Sequence, residues 1–181
     1  MSKSKGNAYE RKVCRELSIW WSEGERDDLF WKTSNSGGRA TTRAKGGKKT
    51  VNSHGDIAAT DLSAQPLIDL ITFEIKRGYN KFSIQDLMDK PNKAAEQKYE
   101  EWFRKVGASR VLAGTPYWML IAQRDRRESL LFIPNQLYNK LDYIASRKVK
   151  LITEKFGLIV CTLFSEFIRL VEPEEIRSLK K

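Results

Sequence analysis

Four polar residues in the first half of the chain stand where apolar ones would be cheaper. Glu10 lies three and four positions before Val13 and Cys14 and seven before Leu17. On a helix it would share the face of that apolar stripe, where a carboxylate is costly unless something compensates it. Asp56 opens the run Asp56-Ile57-Ala58-Ala59-Thr60, and Glu74 and Lys76 close the run from Leu67 to Lys76. Being two apart, Glu74 and Lys76 share one face of a strand. Two carboxylates brought together repel, which raises a pKa or demands a cation. Mg2+ suits such a pair, because it takes one or two protein carboxylates and completes its octahedron with water and phosphate oxygens. An ion there would lower the pKa of a bound water, stabilise charge on an attacked phosphate and hold the scissile group in line. Lys76 offers a compact positive charge beside that phosphate or, with a depressed pKa, a group that helps take the proton from water. The plainer reading is a Glu-Lys surface pair at a strand end, worth little, with Asp56 capping a turn and Glu10 a wet first-turn carboxylate favoured by the helix dipole.

These residues need elements to position them. Apolar spacing predicts a helix from Gly6 to Trp21. Leu29 to Thr33 suits a strand and leads into the turn-forming Ser34-Asn35-Ser36-Gly37-Gly38. Residues 36–53 read as a mobile basic loop, long enough to be functional or disordered. Asp56–Thr60 and Leu67–Lys76 read as two strands in hairpin relation, joined by a turn at residues 61–66. In an antiparallel pair the start of one strand lies beside the end of the next, so Asp56 is expected to meet Glu74 and Lys76. Further along, Ser83 can cap a short helix to about Asp89, and Lys93–Val106 is helical with the stripe Ala95, Tyr99, Trp102, Phe103 and Val106. Tyr117–Ala122 and Ser129–Ile133 are strands around a hairpin turn with basic tips, Gln123-Arg124-Asp125-Arg126-Arg127. Pro134 opens a helix to about Ile144, Leu158–Phe164 is a strand, and a charged tail occupies residues 174–181. The order predicts a mixed α/β domain, one unit over residues 1–181, with a central mixed sheet flanked by helices.

Composition narrows the class. The chain has 181 residues, 40% apolar and 31% charged, in the range of one globular domain with its own core. Two cysteines, Cys14 and Cys161, cannot make a disulfide framework or a Cys-rich zinc site. The single histidine, His54, excludes chemistry that needs two. No apolar run is long enough to span a bilayer and no signal peptide is evident, so an intracellular, cytoplasmic protein with no membrane partner is expected. Thirty-three Lys and Arg against 23 Asp and Glu leave a net charge of +10. Lys32, Arg39, Arg43, Lys45, Lys48 and Lys49 contribute six basic residues with no acid among them. Such a stretch attracts polyanions, and nucleic acid is the expected partner; a basic surface kept for solubility is the bland alternative. Arg39, Arg43, Lys45, Lys48 and Lys49 are candidate backbone contacts of a diffuse kind. His54, two before Asp56, is read as a strand-end residue in contact with water, its other role being phosphate contact or proton transfer. The five tryptophans lie on apolar faces and are expected in the core.

Gly55-Asp56-Ile57 and Glu74-Ile75-Lys76, with seventeen residues between Asp56 and Glu74, resemble the PD-(D/E)xK nuclease signature, with Gly in place of the usual Pro. Lys5-Gly6-Asn7-Ala8-Tyr9-Glu10-Arg11 and Ser34-Asn35-Ser36-Gly37-Gly38 are similar to the archaeal and phage Holliday junction resolvase branch, over residues 5 to about 80. The resemblance implies a restriction-endonuclease-like core and a Mg2+-dependent DNA endonuclease, with Mn2+ as a substitute, acting on branched DNA and leaving a 5′-phosphate. It implies that Asp56, Glu74 and the Ile75 carbonyl bind metal, that Lys76 is the catalytic lysine, and that Glu10 is the helix-one carboxylate, acting through water or a second metal. Ser36 takes the place of the small polar residue that contacts phosphate, and a homodimer is implied. Gln97 and Tyr99 are polar helix residues of the kind that approach the site in some branches. The basic insertion after Ser36 is a departure from the relatives, lying where DNA would enter. A duplex-cutting restriction-type or nicking enzyme, an RNA-processing enzyme, and a DNA-binding module with an inactive site are the alternatives.

Overall fold

The computed structural model describes residues 3–33, 55–89, 96–153 and 155–179. Helix α1 (Lys3–Trp21) buries Tyr9, Val13, Cys14, Leu17, Trp20 and Trp21 as one stripe. The hydroxyl of Ser18 fastens the next element to it. Its Oγ donates to the Cys14 carbonyl at 2.8 Å and accepts the Phe30 N–H at 3.0 Å. Strand β1 (Phe30–Lys32) pairs antiparallel with β2 (Ile57–Ala59) as a two-stranded ribbon.

The run from Leu67 to Lys76 is not one strand. A 3-10 turn (Leu62–Ala64) leads into α2 (Gln65–Leu70), and only then does β3 (Ile71–Arg77) begin. Leu67, Ile68 and Leu70 are buried on that helix. A short apolar run has no period that separates helix from strand; here Pro66, at the first helical turn, decides it. The expected hairpin between β2 and β3 is therefore absent. β2 belongs to the ribbon, and β3 pairs in parallel with β4 (Tyr117–Gln123), Lys76 opposite Ala122.

A parallel pair needs a crossover, and α3 (Lys98–Ala113) supplies it. Its start is capped by the Glu100 carboxylate on the Gln97 N–H at 2.8 Å, and Gly114 ends it at φ 74°. The helix thus runs about two turns beyond the expected end at Val106. The sheet continues through β5 (Ser129–Pro134), β6 (Lys148–Thr153) and β7 (Gly157–Leu163) in the order β3-β4-β5-β7-β6, antiparallel after the first pair. Strand β6 was not expected. It is an edge strand with Leu151 alone fully buried, so its apolar signal is weak. Helix α4 (Asn135–Tyr138) is one turn rather than a helix to Ile144. Helices α5 (Phe164–Leu170) and α6 (Pro173–Ser178) close the described chain. Much of the segment expected as a charged tail is thus helical, with Ile176 fully buried.

Alternation along the strands divides the core. Ile71, Phe73, Ile75, Met119 and Ile121 pack with α1, α2 and α5 on one face. Trp118, Leu120, Ala122 and Phe132 pack with Tyr99, Trp102, Phe103 and Val106 of α3 on the other. The architecture is a mixed sheet flanked by helices, consistent with a restriction-endonuclease-like core. Trp20, Trp21, Trp102 and Trp118 are core residues as expected, but Trp31 is 54% exposed. No helix among the described residues is long and apolar enough to cross a membrane.

Candidate active site

Asp56 is held from three directions just before β2. Its carbonyl accepts the Thr33 N–H at 3.0 Å and its N–H donates to the Phe73 carbonyl at 2.8 Å. Its carboxylate accepts the Ile75 N–H at 2.6 Å. The ribbon therefore crosses the free edge of β3 and delivers one acid there without a hairpin ladder. Gly55 makes the approach possible. Its φ is +89°, and a Cβ on it would lie 2.7 Å from the Phe73 carbonyl oxygen. Proline, fixed near φ −65°, cannot take this conformation, which accounts for glycine at the position where the family signature has proline.

On β3, Glu74 and Lys76 share the face toward α3. The Lys76 Nζ is 2.5 Å from Glu74 Oε1, 3.8 Å from Asp56 Oδ2 and 3.2 Å from the Ile75 carbonyl. Because the Ile75 N–H is taken by Asp56, the Ile75 carbonyl points to the same free edge, away from β4. Three oxygen donors thus surround one ammonium. Burial, the neighbouring Asp56 charge and the incomplete compensation by Lys76 hold the Glu74 pKa above the ordinary carboxylate value. Burial opposes the charge on Lys76, but Asp56 and Glu74 together outweigh it and raise its pKa. In the metal-free site these two acids thus hold Lys76 as a cation.

Glu10 reaches the same neighbourhood from the other side of the sheet. Its carboxylate is half-buried and 3.8 Å from the Lys32 Nζ, which also donates to Asn7 Oδ1 at 3.1 Å. Burial and the Asp56 charge raise its pKa, with Lys32 and Lys76 opposing. Lys32 is a member of the site that motif reading passed over, counting it only as part of a basic run. The signal was available: Phe30 and Lys32 are two apart on a strand, so a buried Phe30 turns Lys32 toward α1. Tyr99, 3% exposed, lines a small pocket together with Lys76, Gly78, Tyr79 and Arg124, whereas Gln97 serves as the α3 cap. Both cysteine thiols are pushed up to about 12 by burial and are inert as nucleophiles.

The donor set fits a hard divalent ion. Among the described residues no group of three His, Cys, Asp or Glu side chains is assembled to hold a metal. Two carboxylates and a carbonyl, with water and phosphate to complete the shell, are what Mg2+ accepts, and the ammonium of Lys76 lies against all three. Ser36, Arg39, Arg43, Lys45, Lys48, Lys49 and His54 lie outside the described residues.

An α/β core that brings an acid from one strand to the edge of another carrying Glu-x-Lys defines a nuclease of the PD-(D/E)xK class. Residues 1–178 match the family described as "Phage putative PDDEXK endonuclease". The chain belongs to this phage PDDEXK endonuclease family. No curated protein and no solved structure matches the chain.

Proposed function

We propose that the chain is a Mg2+-dependent endodeoxyribonuclease that hydrolyses phosphodiester bonds in branched DNA, Mn2+ substituting for Mg2+. The observation that carries this reading is the meeting of Asp56, Glu74, Lys76 and the Ile75 carbonyl at one free sheet edge. Asp56, Glu74 and the Ile75 carbonyl would hold the ion, with Glu10 beside it through water. The chemistry such an ion supplies is a water of lowered pKa and neutralisation of charge on the phosphate. Lys76 adds its fixed positive charge next to the same phosphate, a contribution that grows as negative charge develops there. Asp56 is oriented by the Ile75 N–H, and Glu10 is kept in place by Lys32. The net charge of +10 supplies the long-range attraction for a polyanion. A homodimer, with two such sites facing one branched substrate, completes the proposal.

The test is cleavage of a labelled four-way junction and of a linear duplex of the same sequence, in Mg2+ and in Mn2+, by wild type, Asp56→Asn and Lys76→Ala. Junction cleavage leaving a 5′-phosphate, lost by about 100-fold or more in both variants, is expected. Equal cleavage of the duplex would assign a restriction-type or nicking enzyme instead. Binding without cleavage of junction, flap or duplex by the wild type would reduce the chain to a DNA-binding module. Preference for matched RNA in competition would move the substrate to RNA. Sedimentation at working concentration tests the dimer.

A further inference from the structure

The hairpin between β4 and β5 carries basic residues that the catalytic reading does not use, and its position gives them a purpose. Arg124, Arg126 and Arg127 occupy its tip. Arg126 and Arg127 are exposed and Arg124 half-buried, and none of the three is in an ion pair with a described residue. The acid of the tip, Asp125, faces inward. It is 3.2 Å from the Arg77 guanidinium and accepts from the Asn80 side chain at 2.9 Å, while its N–H donates back to Asn80 Oδ1 at 2.8 Å. The Gly78 N–H donates to the Gln123 carbonyl at 2.9 Å. These bonds lock the tip to the chain leaving β3, just beyond Lys76. Arg124 lines one pocket with Lys76. The turn is closed by the Arg127 N–H on the Arg124 carbonyl at 3.2 Å, and Arg126 sits at φ 59°. That left-handed position favours Gly or Asn.

We propose that this tip is a second nucleic-acid contact, a rigid arginine cluster that grips the phosphate backbone of DNA next to the site. The proposal rests on the nuclease reading for its substrate but not on turnover. Register places Gln123 opposite Arg77, so the tip begins one residue past Lys76. Arg124 follows directly on Gln123 and lines one pocket with Lys76, so the turn lies beside the site. With phosphates spaced about 3.4 Å apart in rise along one strand, side chains so placed meet phosphates neighbouring the one at Lys76. Guanidinium groups suit phosphate because they present a planar, permanently charged fork, and contacts of this kind position the duplex without reading its sequence.

The test measures binding of the full chain to duplex and junction DNA in EDTA, where cleavage does not enter, as salt rises from about 50 to about 200 mM. The variant with Arg124→Gln, Arg126→Gln and Arg127→Gln should reduce the slope of log affinity against log salt by about 2 to 3, near 0.9 for each phosphate gripped. A matched Arg→Lys triple should keep most of the slope, since it keeps the charge. Arg127→Glu alone, at an exposed position, should weaken binding more than tenfold even if the triple variant fails to fold. Unchanged slope and affinity in the folded triple variant, or in Arg127→Glu, would overturn the proposal. If the wild type binds with a tip-dependent slope yet cuts nothing in Mg2+, the tip stands and the nuclease reading falls. If it cuts while the tip variants bind like wild type, the tip falls and the nuclease stands.

Discussion

Asp56, Glu74 and Lys76 form a charge cluster in which each member is poor company for the others without its counterpart. Among the described residues, Lys76 is the only cation directly against the two buried acids, so removing it leaves two carboxylates uncompensated. In EDTA, Lys76→Ala should lower unfolding free energy by about 3 kcal/mol in urea titration. Glu74→Gln should do the opposite and raise stability while abolishing cleavage, because it removes a like-charge conflict that function retains. Added Mg2+ should then stabilise wild type more than Glu74→Gln. The pH dependence has a definite sign. Burial first, then the Asp56 charge, raise both Glu74 and Glu10 above the ordinary value of 4.5. In the metal-free protein their contribution to stability is present below that value and is lost as pH rises through the raised pKa values. Divalent-ion binding needs the deprotonated forms, so over the same window its affinity should increase with pH. Calorimetric titration of Mn2+ against pH checks this; affinity that does not rise with pH above the ordinary carboxylate value would show that Glu74 is not a ligand and that Glu10 does not act beside the ion.

The ribbon of β1 and β2 is the element that makes the site. It has only three residues per strand, yet it ties α1, through Ser18 and Phe30, to the free edge of β3, through Gly55 and Asp56. Gly55→Ala should therefore act far beyond its size. A methyl group would meet the Phe73 carbonyl at 2.7 Å on a backbone at φ +89°, which costs about 3 kcal/mol in strain and overpacking and moves Asp56 away from the Ile75 N–H. Expected are a lower denaturation midpoint and cleavage reduced at saturating DNA, read as kcat rather than KM. Full activity in Gly55→Ala would show that the close approach is not needed. At this level much was readable from the chain. The stripe of α1, the paired apolar runs of β4 and β5, and Ser83 as a cap follow from periodicity and capping chemistry. The helix α2 and the edge strand β6 did not, the first because an apolar run has no resolvable period, the second because an exposed edge buries too little to leave a pattern.

For the molecule taken together, two basic clusters flank Asp56 and Lys76 in sequence: the segment from Lys32 to Lys49 and the β4–β5 tip. Neutralising Arg39, Arg43, Lys45, Lys48 and Lys49 should flatten the salt dependence of DNA binding by up to about 0.9 for every phosphate these side chains neutralise. The effect should add to that of the tip variants if the two grip separate stretches of backbone. A slope unchanged from wild type in anisotropy titrations would show that these side chains do not touch phosphate.

Residue type and order were enough to name the nuclease class: Asp, then Glu-x-Lys, with a helical Glu upstream and a basic surplus. They also led to the expectation that Asp56 would meet Glu74 and Lys76, as it does. Topology was beyond them. A hairpin between β2 and β3 and a ribbon laid across the edge of β3 both bring Asp56 to Glu74. The choice between them turns on a helix begun at Pro66 and on the pairing of β3 with β4, a strand about forty residues away along the chain. Long-range pairing of this kind is settled by where the whole chain can bury its apolar faces at once, a condition that no local pattern contains.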